Sequence, residues 1–364
     1  VTNPVFGNNV FSKAVGFDEA PKLRKFETTD IVRRLGVITP KKVVLKNYPV
    51  ENPTAVFNAA IAVRDDKAFV IARIVMGYFL YVSAIVSIEI PLQEIYDGTV
   101  PRRSYEANII LYPSTKYDIW GAEDPRVYEF DGKLCMTYTG RTSDYFKPAA
   151  SWERTLPITA VLDSGGEWRR KYAHVMPKSL RRHVISDKDA FLTRLDGEAV
   201  FLHRPHMDDN YQYLTASKVR EDGLAREGFV ELEEYGTTWV MPHARFELKL
   251  GWSAPVINVG SDRVVALAHG VDNDLEVYRV LAVLLKYSKS EGFVVEAVTP
   301  TYIMEPKDPS ELFGDRPYTI FPCGVWVVDK EKALVTYGAG DYMVGIGELD
   351  MNELLGLLDR GRIY

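Results

Sequence analysis

The sequence predicts an all-β protein, a five-bladed β-propeller with short helical segments near its N- and C-terminal ends. Three observations predict it. Helical periodicity is scarce along the 364 residues. Apolar runs of about five to eight residues, joined in pairs by a short polar turn, recur from end to end in the form of hairpins. The pairs recur at a near-constant spacing of roughly 65 to 70 residues, which leaves room for four strands per repeat and points to radial repetition.

The first pair is "AVFNAAIAVRDDKAFVIARIV", turning at Asp65-Asp66. "RVYEFDGKLCMTYTG" repeats the form around Asp131-Gly132, and "AFLTRLDGEAVFLHRP" around Asp196-Gly197. "SAPVINVGSDRVVALAHGV" turns at Ser261-Asp262, and "CGVWVVDKEKALVTYGAGD" at Asp329-Lys330. A tandem of immunoglobulin-like domains fits less well, because no domain-sized linker separates the units. A short helix is expected over Asp30 to Leu35, with Thr29 as N-cap and Gly36 as stop, and another at "MNELLGLLD". Residues 1–364 therefore read as one domain, with 1–55 as an extension or packing arm and 350–364 as a C-terminal helix.

Composition narrows the class. Apolar residues make up 46% and charged residues 26%, with a net charge of −6. That is ordinary for a globular chain and argues against a nucleic-acid binder, which carries a basic footprint. One basic stretch, "WRRKYAHVMPKSLRRH", holds Arg169, Arg170, Lys171, Lys178, Arg181 and Arg182. It reads as a solvated loop or as a patch steering an anionic substrate. No apolar run is long enough for a membrane span, and "VTNPVFGNNVFSKAVG" lacks the regions of a signal peptide. Cys135 and Cys323 sit in apolar strands as expected of buried free thiols. With no CxxC or HExxH motif, neither a metal nor an organic cofactor is expected, and the cysteine usage suits a cytoplasmic protein. "GAGD" follows a strand but opens no helix, which argues against a nucleotide fold.

The second strand of several hairpins ends in a cation or a polar group: Arg73, Arg141, His203-Arg204, His269, and Asp341 after "TYGAG". In a propeller such positions converge on the central channel, which would gather cations into an anion site. The stretch "WGAEDPRVYEF" adds adjacent carboxylates, Glu123 and Asp124, before Pro125 and Arg126. Adjacent side chains of an extended strand point to opposite faces, so both acids reach one cavity only if the backbone kinks. Pro125 biases Asp124 toward extended or polyproline geometry.

These landmarks, "FNAAIAVRDDKAFVIARI", "GAEDPRVYEFDGKLCMTYTG", "DKDAFLTRLDGEAVFLHRP", "VVALAHGVDNDLEVYRVLAVLL" and "FPCGVWVVDKEKALVTYGAGD", resemble glycoside hydrolase family 130, the β-mannoside phosphorylases and β-mannosidases. The resemblance runs from about Asn52 to Asp341 and implies a five-bladed propeller. It implies reversible, inverting phosphorolysis of a β-mannoside to α-mannose 1-phosphate by a glycoside phosphorylase of the glycosyltransferase type, with inorganic phosphate as co-substrate. Asp124 becomes the general acid, passing its proton to the leaving oxygen through a mannose hydroxyl; it would need burial and Glu123 to outweigh Arg126. Arg73, Lys188 and His269 become phosphate ligands. Arg141 follows the "YTG" motif directly, closer than the family arginine, so either its loop re-registers to reach phosphate or that contact is lost. Asn58, Glu123, Arg126, Asp189, Arg204, Asp272, Tyr278 and Asp341 become substrate-binding positions, with Trp120 and Trp239 as stacking platforms or core. The partners expected are the mannoside and phosphate, not nucleic acid or membrane, and the N-terminal arm leaves room for a homo-oligomer. The rival readings are an inverting β-mannosidase, which needs a carboxylate base for water, and a non-catalytic sugar-binding propeller.

Overall fold

A computed structural model describes residues 3–144 and 153–364. Strands dominate, and among the described residues their antiparallel pairing resolves into five four-stranded units, the second and third joined edge to edge by parallel pairing of Trp168–Val175 with Val230–Trp239. The first comprises Ala55–Arg64, Lys67–Val75, Ser83–Pro91 and Tyr105–Leu111. The second comprises Ala122–Phe130, Lys133–Arg141, Thr155–Leu162 and Trp168–Val175. The third comprises Val184–Leu195, Glu198–Met207, Thr215–Val219 and Val230–Trp239. The fourth comprises Glu247–Trp252, Arg263–Asp272, Tyr278–Ser288 and Gly292–Val298. The fifth comprises Ile320–Val327, Lys332–Ala339, Met343–Asp350 and, from the other end of the chain, Val32–Ile38. The first strands of successive units pack against one another from the fifth unit through the first, second and third to the fourth, and the fourth meets the fifth through Tyr278–Ser288, as in a propeller whose units surround an axis.

The turns follow from local chemistry. Asp131 and Gly132, and Asp196 and Gly197, all have positive φ, as a two-residue hairpin turn requires. Between the sheets lie clusters of fully buried Val, Ile, Leu and aromatic residues, alternating along the strands as a two-faced sheet demands. The C-terminal helix, Met351–Arg360, is capped by Asp350, whose side chain accepts from the backbone N–H of Asn352 and Glu353. It buries Met351, Leu354, Leu357 and Leu358.

Two expectations are corrected. The helix over 30–35 is instead the strand Val32–Ile38, antiparallel to Met343–Asp350 with Val32 opposite Leu349. The residues between 32 and 38 complete the fifth sheet, so this part of the N-terminal segment belongs to the propeller and closes its ring. Local helix propensity yields to a ladder of backbone hydrogen bonds with a strand 300 residues away. In the fourth unit, the run before Ser261 forms only the short strand Ile257–Asn258. The inner strand lies earlier, at Glu247–Trp252, because "SAP" interrupts the ladder and Pro255 offers no N–H.

Candidate active site

Three inner strands carry the same irregularity. The ladder slips between Phe57 and Ala60, between Glu123 and Arg126, and between Lys188 and Phe191. At each bulge one residue turns left-handed: Asn58 (φ 48°), Asp124 (φ 51°) and Asp189 (φ 57°). Asn and Asp tolerate this region better than other side chains, and bulges re-aim side chains next to sites. Asp124 thus departs from the extended geometry that Pro125 favours; the bulge overrides the proline's bias. This kink turns Asp124 into a cavity while Glu123 stays buried behind its wall.

That cavity, of about 550 Å³, is lined by Asn58, Arg73, Tyr81, Asp124, Arg141, Lys188, Tyr278, Arg316, Phe321 and Asp341, among others. Asp124 Oδ1 accepts from Asn58 Nδ2 at 2.8 Å and from Arg73 Nη1 at 3.1 Å. Lys188 Nζ stands 3.6 Å from Asp124 Oδ2. Arg73 Nη2 also donates to Glu123 Oε1 at 3.1 Å, and Arg141 Nε reaches the same oxygen at 2.9 Å. Arg141 therefore does face the cavity, directly after Gly140.

Behind the wall is a second, drier layer. The Arg126 guanidinium donates to the backbone carbonyls of Asp124 (2.9 Å) and Ser253 (2.7 Å) and to Asp189 Oδ1 (3.1 Å). One buried side chain thereby ties together two of the left-handed bulges. Asp189 also faces Arg204 Nε at 2.8 Å and His269 Nε2 at 3.7 Å. His269 packs against Tyr278 and Phe321, with ring centroids at 5.6 and 4.7 Å.

Electrostatics separate the acids. Burial pushes the Asp124 carboxyl up, but Arg73, Lys188 and Arg126 together outweigh it and hold it at about 2. Glu123 is also lowered, by Arg73 and Arg141 against burial, and Asp189 by Arg204, Lys188 and Arg126. Asp341 goes the other way: burial, then the neighbouring Asp124 charge, push it up to about 6. Among the protein's own groups the proton therefore sits more readily on Asp341 than on Asp124, the reverse of the balance expected for an acid at Asp124. Burial, with Arg204, Lys249 and Arg126 nearby, drives His269 well below the usual histidine range, so it offers a neutral imidazole.

The remaining sequence candidates fall outside the cavity wall. Asp272 holds the turn after its strand, accepting from the N–H of Asp274, Leu275 and Val277 and from Arg279. Trp239 lies in a buried cluster with Phe17, Tyr211 and Tyr213, a core residue with no open face. Trp120 is half-buried in the turn before Gly121. In the basic stretch, Arg170 pairs with Asp118 and Arg181 with Glu153 and Glu231, so its charge is largely spent on neighbouring carboxylates.

Sequence reasoning missed Tyr81, Arg316, Phe321 and Lys249. Arg316 sits 4.6 Å over the Tyr278 ring, and Lys249 approaches the same ring at 5.5 Å. Burial, with Arg204 and Arg316, lowers the Lys249 ammonium to about 7. None of these carries a local motif; only the closed ring brings them together. A separate buried group, Asp187, His203 and Glu234, places ligand-type atoms within 4.8 Å of one another. The donor set suits a divalent cation, yet both ring nitrogens of His203 are engaged, by Asp187 at 2.8 Å and by Ser217 at 2.9 Å.

The comparisons now decide the family. The model of glycoside hydrolase family 130, described as beta-1,4-mannooligosaccharide phosphorylase, matches residues 22–360. The chain belongs to glycoside hydrolase family 130. Within that family of glycoside-processing enzymes it is 26% identical over 248 residues to a 1,2-beta-oligomannan phosphorylase of Thermoanaerobacter sp. (strain X514), covering 67% of this chain and 73% of that one. Among solved structures it resembles the beta-1,2-mannobiose phosphorylase of Listeria innocua, with a TM-score of 0.68 at 15% identity over 90% of this chain and 99% of that one. It also resembles a member of the family described as containing glycoside hydrolases that target beta-1,2 mannosidic linkages in Candida mannan, with a TM-score of 0.64 at 18% identity over 88% and 94% of the two chains. The structural likenesses, at such identities, speak for the propeller fold. Among the described residues no helix is long and apolar enough to cross a membrane.

Proposed function

We propose that this chain cleaves a β-mannoside by inverting phosphorolysis, releasing α-mannose 1-phosphate, with inorganic phosphate as nucleophile and Asp124 as the proton donor. The observation that carries the reading is the gathering of four cations, Arg73, Arg141, Lys188 and Arg316, in the wall of one cavity. Convergent cations of this kind suit a phosphate dianion, which Arg binds through its planar fork and Lys as a point charge. Neutral His269, one layer behind, would contribute through hydrogen bonding and packing rather than charge.

Phosphate also resolves the state of Asp124. Arg73 and Lys188 hold its carboxyl low against burial. A dianion bound by the same cations offsets them and adds repulsion, both of which raise the carboxyl's proton affinity. Asp124 then becomes an acid when its co-substrate is bound. Its proton passes by way of a mannose hydroxyl to the glycosidic oxygen as that bond breaks, while a phosphate oxygen bonds to the anomeric carbon from the opposite face. Asn58, Tyr278 and Asp341, which line the same cavity, would meet sugar hydroxyls and a ring face. The scheme calls for no metal or organic cofactor.

Asp341 also favours a second reading, in which it serves as the base for water in an inverting mannosidase. The test incubates the protein with β-1,2- and β-1,4-mannobiose, with and without phosphate, and identifies the sugar released. Mannose 1-phosphate formed only with phosphate is the expected result. Free mannose released equally in both conditions overturns it in favour of hydrolysis.

A further inference from the structure

Asp187 and His203 are the chain neighbours of two residues of the charged site. Asp187 precedes Lys188, which lines the cavity, and His203 precedes Arg204, which faces Asp189. Lys188 stands opposite Arg204 in the ladder of the third unit. Side chains alternate along both strands, so Asp187 and His203 meet on the other face of the sheet. There Asp187 Oδ2 accepts from His203 Nδ1 at 2.8 Å. His203 Nε2 lies 2.9 Å from Ser217 Oγ and 3.2 Å from Glu234 Oε2, and Ser217 donates onward to Thr237 at 3.0 Å. Burial works to lower the His203 imidazole, but the charges of Asp187 and Glu234 outweigh it and raise it, so both ring nitrogens donate. The bonds thus cross all four strands of the unit, and His203, Ser217 and Glu234 are each at most 1% exposed.

Such a group is a poor way to stabilise a sheet. Two carboxylates and an imidazole are taken out of water, and among the described residues Asp187 Oδ1 and Glu234 Oε1 have no hydrogen-bond partner. Apolar side chains of similar size often hold a fold as well as a buried ion pair does, or better. What the group can supply instead is a single arrangement of the chain, and the need for one lies next door. The ladder slips between Lys188 and Phe191, so its regular restraint ends at Lys188, whose side chain is 25% exposed. We propose that Asp187 and His203 are positioning residues: their bond, anchored by Ser217 and Glu234, holds Lys188 where it meets the phosphate. This rests on the phosphorolysis reading for the identity of the anion, though not for the coupling of His203 to Lys188.

The experiment uses two substitutions that separate the ring nitrogens. His203→Asn can place an amide nitrogen near the position of Nδ1 and keep the bond to Asp187. His203→Gln reaches past it toward Ser217 and Glu234 and gives that bond up. For each, kcat and the KM for phosphate and for the mannobiose that turns over are measured, alone and combined with Lys188→Ala, beside urea unfolding. His203→Gln should raise the KM for phosphate by about 3- to 30-fold, as for a charged contact that is misplaced rather than removed, and change the KM for mannobiose by under about 2-fold. His203→Asn should stay within about 3-fold of the unmodified protein on both. Combined with Lys188→Ala, the His203→Gln loss should shrink to under about 2-fold, because the group it positions is gone. A fall in stability with the KM for phosphate unchanged overturns the proposal. So do equal losses with and without Lys188, or equal losses from His203→Asn and His203→Gln. Should His203→Gln not fold, Asp187→Asn takes its place in the same cycle; it removes the charge, keeps the shape, and should lose about 2- to 10-fold, again only with Lys188 present. No such loss overturns the proposal as well. Free mannose released at the same rate without phosphate removes only the phosphorolysis reading. The cycle is then read on kcat/KM for mannobiose, where the same dependence on Lys188 is required.

Discussion

The two ends of the central channel are built from the same inner strands and have opposite chemistry. At one end Asn58, Asp124, Lys188 and Phe321 line the charged cavity of about 550 Å³. A few residues further along those strands, Ile61, Val127, Leu192 and Val325 line a cavity of about 920 Å³ at the hairpin end, closed in part by Met351 and Leu355 of the C-terminal helix. In three of the four strands a left-handed bulge lies at the start of the switch. At or beside the bulge, Asn58, Asp124 and Lys188 reach the charged cavity; after it, regular alternation brings Ile61, Val127 and Leu192 to the other one. The charged end is therefore set by backbone irregularity and the apolar end by backbone regularity. Damage at the first should cost chemistry, and damage at the second should cost stability.

The largest expected effect tests the first half of that contrast. Asp124→Asn should lower turnover by about 10²- to 10⁴-fold, the range for a lost general acid. Its thermal midpoint should stay near that of the unmodified protein, because Asn can still accept from Asn58 and Arg73. Near-normal turnover of an unactivated mannoside would remove Asp124 from the role. The counterpart lies at the other end. Leu192 is 2% exposed and packs with Phe130, Phe201 and Leu232. Leu192→Ala should cost about 2–3 kcal/mol in urea unfolding, the low end for a buried leucine because the site already borders open space. Its kcat at 25 °C should hardly move; a large kcat loss with unchanged stability would mean that the two ends are not separable.

A smaller effect sharpens the charged end itself. Lys188→Ala and Arg141→Ala each remove one charge-assisted contact to an anion, worth roughly 1.5–3 kcal/mol, or about a 10- to 150-fold loss when fully expressed in the transition state. Phosphate-concentration curves should show the loss in the KM for phosphate more than in that for the mannoside. If Arg141→Ala leaves phosphate use untouched, its contact with Glu123 is a wall bond and nothing more.

Much of the repeat was legible in the sequence because it is local. Asp131-Gly132 and Asp196-Gly197 announce their turns through a backbone conformation that few residue pairs accept. What was not legible depends on partners far along the chain. Nothing near Val32 reveals that its ladder partner is Leu349, so "DIVRRL" reads as a helix. The bulges leave a faint mark, an Asn or Asp followed by Ala or Pro inside an apolar run, as at Asn58-Ala59, Asp124-Pro125 and Asp189-Ala190. For the site, residue types were readable and roles were less so. Arg73, Lys188 and Arg141 reach the cavity as cations. The neutrality of His269, the low carboxyl of Asp124 and the work of Arg126 as a tie between bulges depend on burial and on neighbours from other sheets, which no short window contains.

The smallest effect concerns pH. The Asp341 carboxyl is raised to about 6 in the folded protein, first by burial and then by Asp124. In the unfolded chain it ionises near the ordinary value of 3.8. Between these values the folded state holds a proton that the unfolded state has released, so stability falls as pH rises from about 4 to 6 and this contribution is flat above. A side chain partly open to the cavity is screened, which leaves about 1–2 kcal/mol across the window. Asp341→Asn removes the titration. Relative to the unmodified protein, the variant should gain stability progressively from pH 4 to pH 6 and keep the gain at pH 7. Asp124, Glu123 and Asp189 are lowered and pull the other way at acid pH. In the folded protein Asp124 stays ionised from pH 4 to pH 7, and Glu123 and Asp189 are also lowered, so the pH dependence of the difference in urea-unfolding free energy at pH 4, 5, 6 and 7 reports on Asp341. A difference that does not vary with pH would place the Asp341 proton elsewhere and weaken its assignment as the cavity's neutral acid. A gain that grows between pH 4 and pH 6 and then holds would leave Asp341 protonated enough below pH 6 to donate to a sugar hydroxyl, and ionised above it to accept from one.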